Sequence, residues 1–76
     1  MNKVRRKRVQ DAITKIEEAK AILEEAQDEE QAAFNNMPEG LQYSERGEQM
    51  EENISKLEEA VSCLEDQVLS LIHISE

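Results

Sequence analysis

The chain has 76 residues and a net charge of −9, and 36% of its residues are charged. A chain this short buries only a small core unless it oligomerises or carries a covalent or metal staple. Its one cysteine, Cys63, excludes an intramolecular disulfide, and no His/Cys cluster is present to hold zinc. No apolar run approaches the roughly 18 residues that a membrane span needs. The composition disfavours a classical enzyme and a membrane partner.

The first predicted element is a helix over about residues 3–35. Apolar residues recur there at alternating steps of three and four, and no Gly or Pro interrupts them before Pro38. Because much of this stripe is alanine, a partner helix can approach it closely. The stripe consists of Val9, Ala12, Ile13, Ile16, Ala19, Ile22, Leu23, Ala26 and Ala33.

Positive charge is concentrated at the start of this helix. Residues 1–20 hold seven of the nine basic residues and three acids, a local balance of +4, whereas residues 21–76 carry −13. The basic stretch is interpreted as a solvated helix start, as an anion contact or as a nucleic-acid arm. An acidic body repels nucleic acid over most of its surface, which disfavours the arm. The candidate anion ligands are Arg5, Arg6 and Arg8.

Residues 36–43 are predicted to form a turn between two helices. Pro38 disfavours helix at the residue before it, and Gly40 can adopt a positive φ. Ser44 is the expected N-cap of the second helix, and the absence of a side chain at Gly47 would let a ligand or another backbone approach closely.

The end of this turn combines a ring, a hydroxyl and a guanidinium with the free N–H groups of a helix start. One hypothesis is therefore a ligand-binding site made of Tyr43, Ser44 and Arg46. The alternative is purely structural: Ser44 caps the helix, Tyr43 covers the end of the helix pair and Arg46 pairs with a nearby carboxylate.

The second predicted helix, about residues 44–72, carries three unbroken heptads, which are typical of helices that pack on other helices. Ala60 and Ile72 widen the apolar stripe, so more than one neighbouring helix is expected. The predicted fold is all-α: residues 1–76 form a single antiparallel two-helix hairpin that assembles into a homo-oligomeric bundle, at least a homodimer. Its predicted oligomer core is Met50, Ile54, Leu57, Val61, Leu64 and Val68.

Residues 70–76 resemble the read-through translation of a common sequencing adapter. The resemblance implies a metagenomic sequence that has lost its natural C-terminus. His73 is for that reason not interpreted as a ligand.

Residues 36–51 include Met37-Pro38-Glu39-Gly40-Leu41-Gln42-Tyr43-Ser44-Glu45-Arg46-Gly47. This stretch is similar to a family of short uncharacterised proteins from phages and prophages of Firmicutes, in which an N-[LM]-P-E-x-L-Q-x-S-E-R-G turn joins two acidic helices. The basic opening and residues 28–34 also resemble that family, and the likeness covers residues 3 to about 68. It implies a setting in the cytoplasm of an infected host cell and brings no catalytic motif.

The sequence contains no nucleophile–base pair, metal site or cofactor motif, which favours a non-catalytic binding protein. Its expected architecture is similar to that of phage sponge proteins. The preferred hypothesis is therefore a phage protein that counters host defence by sequestering an anionic nucleotide second messenger between protomers. One alternative is an acidic inhibitor or DNA mimic that binds a host defence protein directly. A structural helical scaffold is the other.

Overall fold

The computed structural model describes the backbone of residues 1–75 and the side chains of residues 1–74. Two long helices, α1 (Lys3–Asn35) and α3 (Glu45–Ser75), are joined through the four-residue helix α2 (Glu39–Gln42). Within the described range the chain is all-helical, as predicted, and contains no strand. The Cα positions extend over 58 × 14 × 13 Å, so the molecule is a long, thin helix pair.

Helix α1 is capped at both ends by asparagine. At its start, the Asn2 side chain accepts a hydrogen bond of 2.8 Å from the backbone N–H of Arg5, which satisfies one of the free donors of the first turn. At its end, the backbone N–H of Asn36 donates to the carbonyl of Ala32 over 3.0 Å. The helix therefore has a defined length of 33 residues, or about 50 Å.

The connection contains a short helix where the sequence predicted only a turn. Pro38 adopts an extended conformation and precedes α2, in which the backbone N–H of Leu41 donates to the Pro38 carbonyl over 2.9 Å. No glycine in residues 1–75 has a positive φ, so the connection does not use the conformational freedom of Gly40. A single helical turn, preceded by the fixed φ of Pro38, joins α1 to α3 here.

Helices α1 and α3 meet along a row of residues that we call the seam. On α3 the predicted heptad residues lie on it: Val68 is buried with 8% exposure and the others are half-buried. On α1 the seam residues are Val9, Ile13, Ile16, Lys20, Leu23, Gln27, Glu30 and Phe34.

Only part of the predicted stripe of α1 is used in the contact with α3. Ala12, Ala19 and Ala33 are exposed, and Ile22 is 66% exposed. A strict heptad that starts at Val9 passes through polar residues further along the helix, and the alanines fall in the adjacent row. The contact with α3 follows the heptad geometry and not the most apolar path along α1.

Candidate functional site

The basic residues at the start of α1 form the largest group of cations in the chain. We call residues 3–8, with Lys3, Arg5, Arg6, Lys7 and Arg8, the basic end; all five cationic side chains are exposed. Within the described range none of these five forms an ion pair. Because no described carboxylate pairs with these cations, they are available to an external anion.

The candidate residues at the connection differ in how they are engaged: Tyr43 and Arg46 are exposed, whereas Ser44 is hydrogen-bonded. The Tyr43 ring is 78% exposed, and Arg46 is exposed and makes no ion pair with any described residue. The Ser44 hydroxyl donates to the Leu41 carbonyl and accepts a long hydrogen bond, 3.4 Å, from the backbone N–H of Gly47. Ser44 thus occupies the N-cap position of α3, and its hydroxyl is already engaged.

Gln42 is a structural residue whose role the sequence pattern did not reveal. Its side-chain amide donates to the carbonyl of Phe34 over 3.0 Å and to that of Met37 over 3.3 Å. Carbonyls at the end of a helix have no partner inside the helix. Gln42 therefore ties the end of α1 to the connection. This role of Gln42 could have been predicted only by expecting an amide side chain in the turn to bond the carbonyls at the end of the preceding helix.

Gly47 does not leave room for a ligand. A Cβ atom at this position would overlap the backbone carbonyl oxygen of Gln42 and lie 2.7 Å from that of Leu41. The backbone of the connection already fills the space that the sequence suggested for a ligand or a second backbone. The absence of a side chain at Gly47 serves close packing between α3 and the connection.

The two groups of candidate residues lie far apart. Arg5, Arg6 and Arg8 are in the first turns of α1, whereas Tyr43, Ser44 and Arg46 follow its far end. The length of α1 alone separates them by about 50 Å. One chain cannot bring both groups to the same small ligand.

Beside the seam lies a row of carboxylates that we call the acidic face: Glu17, Glu24, Glu51, Glu58 and Glu65. The Lys20 ammonium lies 3.8 Å from Glu24 and 3.6 Å from Glu65, so residues of both helices meet on this side. A shallow groove is lined there by Glu17, Glu24 and Glu65 together. The acidic face can attract a cationic partner.

The other side of the seam is uncharged. Four alanines follow one another at intervals of seven along α1, and a second row with the same interval follows α3. Residues spaced by seven share one side of a helix that packs in heptads. We call the two rows the neutral face, which consists of Ala12, Ala19, Ala26 and Ala33 on α1 and Asn53, Ala60, Gln67 and Ile74 on α3.

No helix within residues 1–75 is long and apolar enough to cross a membrane. In the same range no group of three or more metal-ligating side chains comes together. Cys63 is free and exposed on α3.

No protein-family model, curated protein or solved structure matches the chain.

Proposed function

We propose that the protein is a non-catalytic binding protein that works as a homo-oligomer of antiparallel helical hairpins. One observation carries this proposal: of the described apolar side chains, only Val68 is buried, and eight large ones are exposed by 38% or more. Burial of apolar surface is the main source of folding stability. A second copy would supply the burial that one chain lacks.

Contacts between the helices support the antiparallel arrangement. Lys20 of α1 contacts Glu65 of α3, while Gln31 and Phe34 line one groove together with Glu51 and Ile54. Residues late in α1 thus lie beside residues early in α3. This order is expected when the second helix runs back along the first.

The ligand we propose is an anion held by the basic end. Guanidinium groups bind phosphate and carboxylate groups through paired hydrogen bonds, and Arg5, Arg6 and Arg8 have no competing carboxylate among the described residues. The resemblance to phage proteins leads us to name the ligand class as a nucleotide immune signal in the cytoplasm of an infected cell. Tyr43 and Arg46 join the site only if a second protomer supplies them.

Native mass spectrometry tests both parts of the proposal on the intact protein. We expect the unmodified chain to be detected as a dimer or larger assembly. We also expect this assembly to bind members of a panel of linear and cyclic oligonucleotides. Arg5→Gln combined with Arg6→Gln should weaken this binding roughly a hundredfold, because each lost charge-assisted contact removes about 1.5–3 kcal/mol. Lys56→Gln is the control, since Lys56 pairs with Glu52 over 3.0 Å and lies outside the basic end.

Two results would contradict the proposal. An unmodified chain that is helical but monomeric would contradict the proposed homo-oligomer. An assembly that binds no nucleotide, or that binds it equally well without Arg5 and Arg6, would contradict the proposed nucleotide site at the basic end.

The acidic face favours a second candidate function, the inhibition of a host protein that normally binds nucleic acid. Its glutamates lie in rows along both helices and could occupy a basic cleft. Charge reversal at Glu51 and Glu58 would then abolish activity in a phage-defence assay. Reversal at the neighbouring Glu52 and Glu59, which lie outside the acidic face, would leave activity intact. If neither pair matters and the arginines are dispensable, a structural scaffold is the remaining hypothesis.

A further inference from the structure

We propose that a second copy of the chain docks on the neutral face in the opposite orientation, so that the basic end of each copy lies beside the connection of the other. This inference rests on the proposed self-association. It adds the surface that is used and the direction in which the two copies run.

The exposed surface of the chain favours a large interface. The molecule exposes 5897 Å², whereas a compact monomer of its mass exposes about 4,700 Å². Two copies that reached the surface of a compact protein of twice the mass would bury about 3,900 Å² in total. About two thirds of that area already falls in the range of obligate homodimers.

The neutral face is the side of the helix pair that fits such an interface. Its eight positions carry no charge, while the other side of the seam carries five glutamates. Two acidic faces would repel each other, and the cores of stable interfaces are depleted of charge. The alanine row also lets a second backbone approach closely, as the sequence led us to expect of a partner helix.

The distribution of charge along the molecule decides the orientation. Residues 24–52, at the end with the connection, hold ten acids and one base, whereas the remaining residues hold eight of each. Copies that run in the same direction would place two strongly acidic ends side by side. Copies that run in opposite directions place each acidic end beside an end that has no net charge and carries the partner's basic residues 3–8, which is the more favourable pairing.

The charges of a row of residues next to the neutral face also favour the opposed orientation. Lys15, Ile22 and Glu29 follow one another at intervals of seven along α1. When two such helices lie antiparallel about a twofold axis at Ile22, each Lys15 faces the partner's Glu29. The Lys20–Glu65 contact places Cys63 near the level of Ile22, so the same axis brings Cys63 close to the partner's Cys63.

This arrangement would also assemble the proposed ligand site. It brings the partner's Tyr43 and Arg46 to Arg5, Arg6 and Arg8, at both ends of the bundle. A single chain holds these groups about 50 Å apart.

Paired double variants test the docking surface. Ala19→Glu with Ala26→Glu puts two carboxylates on the neutral face, and Ala21→Glu with Ala32→Glu makes the same chemical change at positions outside it. We expect sedimentation equilibrium to show a dissociation constant raised roughly a hundredfold for the first pair and little changed for the control. Circular dichroism reports whether each variant retains its helices.

Spin labels on the otherwise intact chain test the orientation without disturbing the neutral face. A label on Tyr43→Cys, in a chain with Cys63→Ser, should be separated from its copy by about 50 Å in the opposed arrangement and by about 20 Å or less in the parallel one. In the native chain, a short bis-maleimide should link the two Cys63 thiols.

The outcomes separate the two proposals. An unmodified chain that stays monomeric overturns the self-association, and the docking surface with it. A dimer that responds equally to both double variants keeps the self-association and overturns the neutral face. A short distance between the labels, or a failure to link Cys63, overturns the opposed orientation.

Discussion

The two long helices meet along one seam but bring different residues to it. Helix α3 presents an unbroken apolar row, whereas α1 interrupts its row with Lys20, Gln27 and Glu30. Polar residues at seam positions reduce stability and help to specify register and partner. The comparison indicates that α3 supplies most of the packing energy of the pair. Because α1 brings three polar residues to the seam, the two helices bury less apolar surface there than two unbroken apolar rows would.

The largest expected effect comes from breaking the row on α3. Leu64→Asp places a carboxylate in the seam, and we expect the free energy of unfolding to fall by about 3 kcal/mol, from lost burial and a poorly solvated charge. Leu69→Asp is the matched control, because Leu69 is 62% exposed on the same helix. Urea unfolding at one fixed protomer concentration measures both. Equal losses would show that α3 is not the helix on which the packing depends.

The next effect tests how α3 is joined to the rest of the molecule. Gly47→Ala forces a methyl group onto the carbonyls of Gln42 and Leu41, and we expect a loss of about 2 kcal/mol. Gly40→Ala meets nothing within 4 Å and should instead stabilise the protein by about 0.5–1 kcal/mol, because alanine favours the helix. Thermal unfolding of the two variants should therefore shift in opposite directions. A Gly47→Ala protein as stable as the original would exclude the close packing of this joint.

Repairing the row on α1 should raise stability. Gln27→Leu and Glu30→Leu each replace a half-buried polar side chain with an apolar one, and we expect a gain of about 1 kcal/mol each. Gln10→Leu, at an exposed position of the same helix, should change stability little. Chemical denaturation distinguishes the variants. If the seam variants gain nothing, the polar residues of α1 are not what limits the packing.

The sequence was informative about α3 and less so about α1 and the connection. Heptad spacing places Leu57, Val61 and Leu64 together because the row is unbroken and every member is apolar. On α1 two rows competed, and spacing alone could not choose between the alanines and a row that contains Lys20 and Gln27. The choice depends on the partner helix, which lies far away in sequence.

For the candidate site, too, some features could not be predicted because they depend on residues that are distant in the sequence. Residue types identified the cations of the basic end and the ring of Tyr43, and helix length already placed these groups at opposite ends of α1. The sequence allowed a close approach at Gly47 but did not show what approaches, because that depends on where the carbonyls of α2 point. A glycine near a helix start is compatible both with an approaching ligand and with an approaching backbone.

The smallest effect concerns Lys20, the one cation among the described residues that bridges the two helices. Lys20 pairs with Glu24 and Glu65 and its side chain is 26% exposed, whereas Lys56 pairs with Glu52 alone and is 70% exposed. Surface ion pairs contribute about 0.2–1 kcal/mol, and a partly buried lysine also packs its aliphatic stem. We expect Lys20→Ala to lower the free energy of unfolding by about 1 kcal/mol and Lys56→Ala by less than about 0.5 kcal/mol.

A double-mutant cycle between Lys20→Ala and Glu65→Ala isolates the contact between the helices. We expect a coupling of a few tenths of a kcal/mol at low salt that shrinks at high salt, since exposed charges are screened. The part of the loss in unfolding free energy for Lys20→Ala that remains at high salt then measures how much the aliphatic stem of Lys20 contributes by packing against the seam. No coupling, together with equal losses for Lys20→Ala and Lys56→Ala, would mean that the interruption of α1 at Lys20 contributes nothing specific to the pairing of the helices.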